Sequence, residues 1–230
     1  GLDGLLRVRT DVVRGIVNGC DLETWNPKID KLLPANFSDK DLTGKAKCKA
    51  ELQKRMGLPV RPDVPLIGIV TRLASQKGIA EMFAPNYGSM FAMCSNMDLQ
   101  FAVLGSGEKW CEDEISVLAS KLPNFKAYLG YDESLSHLIE AGSDFFLMPS
   151  CYEPCGLNQM YSMLYGTLPI VRKTGGLADT VEQYNQDTGD GTGFLFDNLT
   201  PGAVYDTAGC AGRAYYSKKD HILKLQTKGM

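Results

Sequence analysis

The chain has 230 residues, enough for one full domain with a buried core, and its 44% hydrophobic and 22% charged content is ordinary for a globular protein. Its 24 Lys and Arg against 27 Asp and Glu leave a formal net charge of −3, which argues against a general nucleic-acid binder, because such proteins concentrate cations against phosphate. No apolar run approaches the roughly 20 residues that cross a bilayer, so a membrane-spanning reading is dropped.

The sequence opens at Gly1 with no Met, no basic n-region and no apolar signal core, and it reads as a piece of a longer protein. Up to about Pro62 it resembles a connector more than a core. Turn signals fall at Asn18-Gly19, Asn26-Pro27 and Leu33-Pro34, and a helical stretch is predicted near Lys45 to Met56. From Val64 the texture changes to short apolar runs, VPLIGIV, LQFAVLG, FKAYL, DFFLM, LPIV and GFLF. Helical patterns separate several of them, at Glu108 to Leu122, Glu133 to Ala141, Leu157 to Tyr165 and Leu177 to Tyr184. Buried runs alternating with helices predict a doubly wound α/β domain on a parallel sheet, Rossmann-like in class. Pro85 and Gly88 interrupt the helix expected after Gln76-Lys77-Gly78, so that segment is predicted kinked or shortened.

Cysteines number seven, scattered and odd, which suits free thiols in a reducing compartment. Cys151 and Cys155 lack the partners of a zinc site, since the two His stand apart at positions 137 and 221 and no second Cys pair completes a tetrahedron. No metal is expected.

In an open parallel sheet, ligands bind outside the carboxyl ends of the strands, where loops turn into helix N-termini with free N–H groups. Four places there carry chemistry. Arg72 and Lys77 follow the first strand and can converge on a diphosphate, although both also read as solvated surface cations. After DFFLM comes Pro149-Ser150-Cys151-Tyr152-Glu153-Pro154-Cys155-Gly156-Leu157-Asn158-Gln159. Its Cys155 to Asn158 backbone can bind phosphate or sugar oxygens, and Glu153 can accept from sugar hydroxyls or stand as a plain loop acid. Gly175 and Gly176 permit close backbone approach or simply cap a turn. Tyr131 can stack on a nucleobase or pack as an ordinary strand-end aromatic. Gly105-Ser106-Gly107 lacks the third glycine of a dinucleotide fingerprint and reads as a tight turn.

Taken together, IVNGCDLETWNP, TRLASQKG, YLGYDESLSHLIEAGSDFFLMPS, YEPCGLNQMYSMLYGTLPIVRKTGGLADTV and GTGFLFD resemble the starch and glycogen synthases of glycosyltransferase family 5 over essentially the whole chain. That resemblance implies the two-domain GT-B fold, with residues 36–230 its C-terminal nucleotide-sugar-binding domain and 1–35 the tail of the N-terminal domain and the interdomain linker. It implies glucosyl transfer from ADP-glucose to the non-reducing end of an α-1,4-glucan with retention, a front-face attack in which the leaving phosphate helps deprotonate the acceptor, and no cofactor. Arg72 and Lys77 would hold the diphosphate, Tyr131 would stack on adenine and Glu153 would hold glucose hydroxyls. Cys155, Gly156 and Leu157 would contact the sugar through their backbone, Asn158 would lie near the distal phosphate, and Asn18 would approach from the interdomain side.

The family's N-terminal domain, with its own lysine-glycine loop and much of the acceptor surface, falls outside this sequence, as does the final helix that crosses back to it. Binding of donor or ADP with little turnover is therefore expected of the chain alone. The compartment implied is bacterial cytoplasm or plastid rather than the secretory route. Two alternatives stand beside this reading, a relative using UDP-glucose and a non-catalytic nucleotide- or glucan-binding module.

Overall fold

The computed structural model describes Leu2 to Met230; Gly1, which opens the sequence, lies outside the described residues. Six parallel strands form one sheet in the order β3-β2-β1-β4-β5-β6, with β1 Leu66–Leu73, β2 Gln100–Gly107, β3 Phe125–Leu129, β4 Phe145–Met148, β5 Leu168–Arg172 and β6 Phe194–Phe196. This is the doubly wound arrangement predicted from the alternating runs. Its order reverses between β1 and β4, which places the crevice above those two strands.

Side chains alternate across the sheet as the period of two requires. Ile67, Ile69, Phe101, Val103, Phe145, Leu147 and Ile170 join one core, while Leu66, Ala102, Leu104 and Phe146 join another on the opposite face. Helices α3 (Ile79–Phe83), α4 (Met90–Asn96), α5 (Lys109–Lys121) and α9 (Pro201–Ser217) cover the first face. Helices α2 (Thr43–Met56), α6 (Glu133–Gly142) and α7 (Asn158–Leu164) cover the second.

The remaining helices are α1 (Asp3–Val8), α8 (Gly175–Thr180) and α10 (Lys219–Gly229). The sequence reading assigned neither α9 nor α10. Thr200 marks the start of α9, its hydroxyl accepting from the Ala203 N–H at 3.2 Å with Pro201 in the first turn. As predicted at Pro85, the helix after Gly78 is broken into α3 and α4.

Three boundaries differ from expectation. β1 runs on to Leu73 because its ladder with β2 continues through Leu73 opposite Gly107, so Arg72 sits at the strand's end rather than in a loop. α8 begins at Gly175 and stops at Thr180, since Gln183 and Tyr184 turn to pair with Gly193 instead. The predicted connector is the third, because Leu33 and Phe37 are buried with α2 in the second core. All seven cysteines are free. Among the described residues, no helix is long and apolar enough to cross a membrane.

Candidate active site at the carboxyl edge of the sheet

A cleft of 430 Å³ opens above the ends of β1, β2 and β4, within the size range of small-molecule sites. Arg72, Lys77, Tyr131, Glu153, Gly156, Leu157 and Asn158 all line it. Residues separated by up to 86 positions are thus brought to one crevice by the strand order.

Lys77 is placed by a single 3-10 turn, Ser75–Lys77, that closes on Gly78 in the left-handed region at φ 68°. Only glycine fits there, because a Cβ would stand 2.0 Å from the Pro149 carbonyl oxygen. That contact presses the turn against the loop after β4, where the Cys151 N–H donates to the Gln76 carbonyl at 2.8 Å and the Gln76 amide to the Tyr152 carbonyl at 3.1 Å.

Lys77 Nζ then meets Glu153 Oε2 at 2.5 Å, and the Ser150 hydroxyl donates to the same oxygen at 3.2 Å. Glu153 is 8% exposed, so its charge is compensated inside the protein rather than by water. An anion entering the cleft meets a paired carboxylate instead of a bare one, and Arg72 lines the same cleft.

The loop that carries Glu153 is built against other backbone. A Cβ on Gly175 would lie 2.2 Å from the Glu153 carbonyl oxygen, and one on Gly176 would lie 2.2 Å from that of Cys155. The Gly176 N–H donates to the Glu153 carbonyl at 2.9 Å. Neither glycine lines the cleft; the close approach they permit is to the protein's own loop, from behind.

Gln159, fully buried, ties the same loop from the helix side, its amide nitrogen reaching the carbonyls of Cys155 and Gly156 at 3.0 Å each and the Thr180 hydroxyl at 3.1 Å. Asn158 spends its amide N–H on the Val70 carbonyl at 2.9 Å, which fixes the start of α7 to β1. Cys155 lies next to the cleft without lining it, and its thiol donates to the Gly156 carbonyl at 3.2 Å.

Tyr131 is 83% exposed at the cleft mouth, its ring free to receive a flat partner. Asn18 lies in an exposed stretch outside the cleft. Gly105 and Ser106 line the cleft as the end of β2, and Gly105 is tight because a Cβ would stand 2.1 Å from the Thr71 carbonyl.

Sequence reasoning missed Trp25 and one face of α6. Trp25 lines the cleft from within the stretch read as a connector, sandwiched between His137 at 3.8 Å and Tyr161 at 4.2 Å between ring centroids. Asp30 anchors this arrangement by accepting from Tyr165 at 2.6 Å and pairing with His137 Nδ1 at 2.7 Å. Burial pushes the Asp30 carboxyl up, but hydrogen bonds from His137, Tyr165 and Leu32 outweigh it and hold it below its ordinary range. Glu133, Ser136 and Glu140 also line the cleft, at the three- and four-residue spacing that shares a helix face. That polar stripe along α6 was the available signal. Among the described residues, no group of three or more His, Cys, Asp or Glu is arranged to hold a metal ion.

A parallel sheet reversing between β1 and β4, with a basic and acidic pair at a glycine-fitted loop above the reversal, defines a Rossmann-like α/β domain with its ligand cleft at the reversal. The model of glycosyl transferases group 1 matches residues 52–206, and the chain belongs to that family.

Within it, the chain is similar to the glycogen synthase of Treponema denticola, 60% identical over 229 residues that make up all of this chain and 47% of that protein. It is also 43% identical to soluble starch synthase 1 of Solanum tuberosum, covering 36% of that protein. The catalytic domain of starch synthase IV from Arabidopsis thaliana, solved bound to ADP and acarbose, superposes with a TM-score of 0.89 at 34% identity over the whole of this chain and 47% of that one. The fold therefore matches the C-terminal domain of a GT-B glycosyltransferase. The chain spans about half the length of these relatives or less.

Proposed function

We propose that the chain is the donor-binding part of a retaining glucosyltransferase that moves glucose from ADP-glucose to the non-reducing 4-hydroxyl of an α-1,4-glucan. The observation that carries this is the Lys77–Glu153 pair at 2.5 Å with Arg72 on the same wall, above the strand reversal. The naming of the relatives as glycogen and starch synthases, and the ADP and acarbose bound to one of them, support the donor and the glucan acceptor.

In this reading Arg72 and Lys77 face the diphosphate and stabilise the charge that grows on it as the bond from the anomeric carbon breaks. The acceptor 4-oxygen forms the new bond on the same face, and its proton ends on the departing ADP. Glu153, held by Lys77 and Ser150, orients glucose hydroxyls. It is not assigned as a covalent nucleophile, since its carboxylate is already paired with Lys77. Backbone at Cys155 to Leu157 meets the sugar, Asn158 lies by the distal phosphate, and Gly175 and Gly176 keep that loop in place. Tyr131 stacks on adenine, and Asn18 approaches only on interdomain closure. The activated donor makes a metal or organic cofactor unnecessary to the chemistry.

Residues 36–230 are read as the donor domain and 1–35 as the tail of an N-terminal domain and the interdomain linker. The bacterial and plant relatives point to bacterial cytoplasm or plastid as the compartment. Calorimetric titration of ADP and UDP into these 230 residues tests the reading. ADP is expected to bind more tightly than UDP, and Arg72→Ala with Lys77→Ala to weaken it by about a hundredfold, two charge-assisted contacts at about 1.5 kcal/mol each. Equal binding by the double variant overturns the assignment. Brisk glucan elongation by the chain alone overturns the view that closure with a further domain assembles the full site.

A further inference from the structure

Glu140 has surroundings unlike those of the other acids in the cleft. It lies on α6, is 1% exposed, and its Oε2 has no hydrogen-bond partner. A buried carboxyl oxygen left without a partner is costly, and such groups need a specific reason to persist. Burial drives its pKa well up, against the opposing pull of Lys45 from α2.

Its position in the cleft is defined by its neighbours. One α6 turn earlier, His137 stacks on Trp25, whose other face carries Tyr161 of α7. Val70, Leu104 and Met148 supply apolar wall to the same cleft. The charge acting on Glu140 is that of Lys45, not of Arg72 or Lys77. An uncharged, flat part of a ligand suits a Trp25-lined wall with an unpartnered buried carboxyl oxygen, whereas phosphates belong with the cations.

We propose that Glu140 is a specificity residue of the donor site, its carboxyl hydrogen-bonding a neutral polar edge of the nucleoside, a ring nitrogen or a ribose hydroxyl, and taking no part in holding the phosphates. This rests on the reading of the cleft as a donor-nucleotide site.

The test titrates ADP, UDP and inorganic pyrophosphate into wild type, Glu140→Gln and Glu140→Leu, with thermal unfolding of each. Glu140→Leu is expected to weaken ADP about tenfold, the loss of one hydrogen bond to a buried partner, while pyrophosphate changes by less than about twofold. Glu140→Gln, which keeps a hydrogen-bonding side chain of the same shape, stays within about threefold for ADP. Neither variant melts lower than wild type, because each removes an unpartnered buried acid. Weakening of ADP and UDP alike identifies the ribose as partner; weakening of ADP alone identifies the base.

Unchanged ADP binding by Glu140→Leu, with binding still weakened about a hundredfold by Arg72→Ala with Lys77→Ala, overturns this inference and leaves the donor site standing. Parallel loss of ADP and pyrophosphate, or a lowered melting temperature in both variants, also overturns it, since that is the mark of a scaffold residue. If wild type binds pyrophosphate but neither nucleotide, the donor-site reading fails and this inference with it.

Discussion

On the face of the sheet covered by α3, α4, α5 and α9, Ile67, Ile69, Phe101, Val103, Phe145 and Leu147 pack against Phe83, Met90, Met93, Ile115 and Val204, an apolar layer throughout. On the face covered by α2, α6 and α7, the core contains or adjoins buried Asp30, Lys45, Lys49, Glu140 and Asp144. Lys49 Nζ pairs with Asp144 at 2.7 Å and also donates to the Val64 carbonyl at 2.7 Å, while Lys45 Nζ donates to the Ala141 and Tyr165 carbonyls at 3.0 and 2.9 Å. Burial lowers the Lys45 ammonium to about 8, and those acceptors are what keep it in place.

The difference separates two tasks. Apolar packing is strong but indifferent to register, since shapes of similar volume interchange. Directional bonds specify where α2 and the stretch from Trp25 to Phe37 must lie, and that stretch delivers Trp25 to the cleft. The site's apolar wall therefore depends on the polar face.

Asp144→Ala gives the sharpest break. It strands the Lys49 ammonium and takes an acceptor from the Leu66 N–H at 2.8 Å, and about 3–5 kcal/mol of stability should vanish in urea unfolding. A loss no larger than that of a trimmed methyl would erase the distinction between the faces.

Asp30→Asn comes next, with about 1.5–3 kcal/mol lost at neutral pH as charge-assisted bonds to His137 and Tyr165 weaken. The Asp30 pKa is lowered on folding from 3.8, so its contribution is complete above that value and is lost as pH falls through the folded pKa. The gap between wild type and variant should accordingly close in strong acid, and a gap constant from pH 7 to pH 2 would refute the charge as its source.

Ile69→Val on the apolar face should cost only about 1 kcal/mol and show no dependence on pH, because it removes one methylene and no charged or hydrogen-bonding group. A pH-dependent difference there would mean the two faces are coupled more tightly than their chemistry implies.

Much of the fold was legible in local pattern. Each of the six apolar runs became a strand, and Pro85 broke a helix as its missing N–H dictates. α9 went unread because small residues such as Ala203, Gly209, Ala211 and Gly212 blur its helical stripe. Arg72, Lys77, Glu153 and the Cys155 to Asn158 loop were legible as strand-end residues, since a parallel sheet sends every such end to one edge.

What the sequence alone determined was therefore the class of fold, the edge on which a ligand would sit and the residue types waiting there. Only the tertiary structure decided that Trp25 reaches the cleft, that Gly175 and Gly176 brace a loop from behind, that Lys77 and Glu153 neutralise one another, and that Glu140 is buried without a partner. Periodicity is a property of neighbours along the chain and survives in the sequence. Burial, pairing and orphaned polar atoms arise between residues many positions apart, and they exist only once the sheet order has brought those residues together.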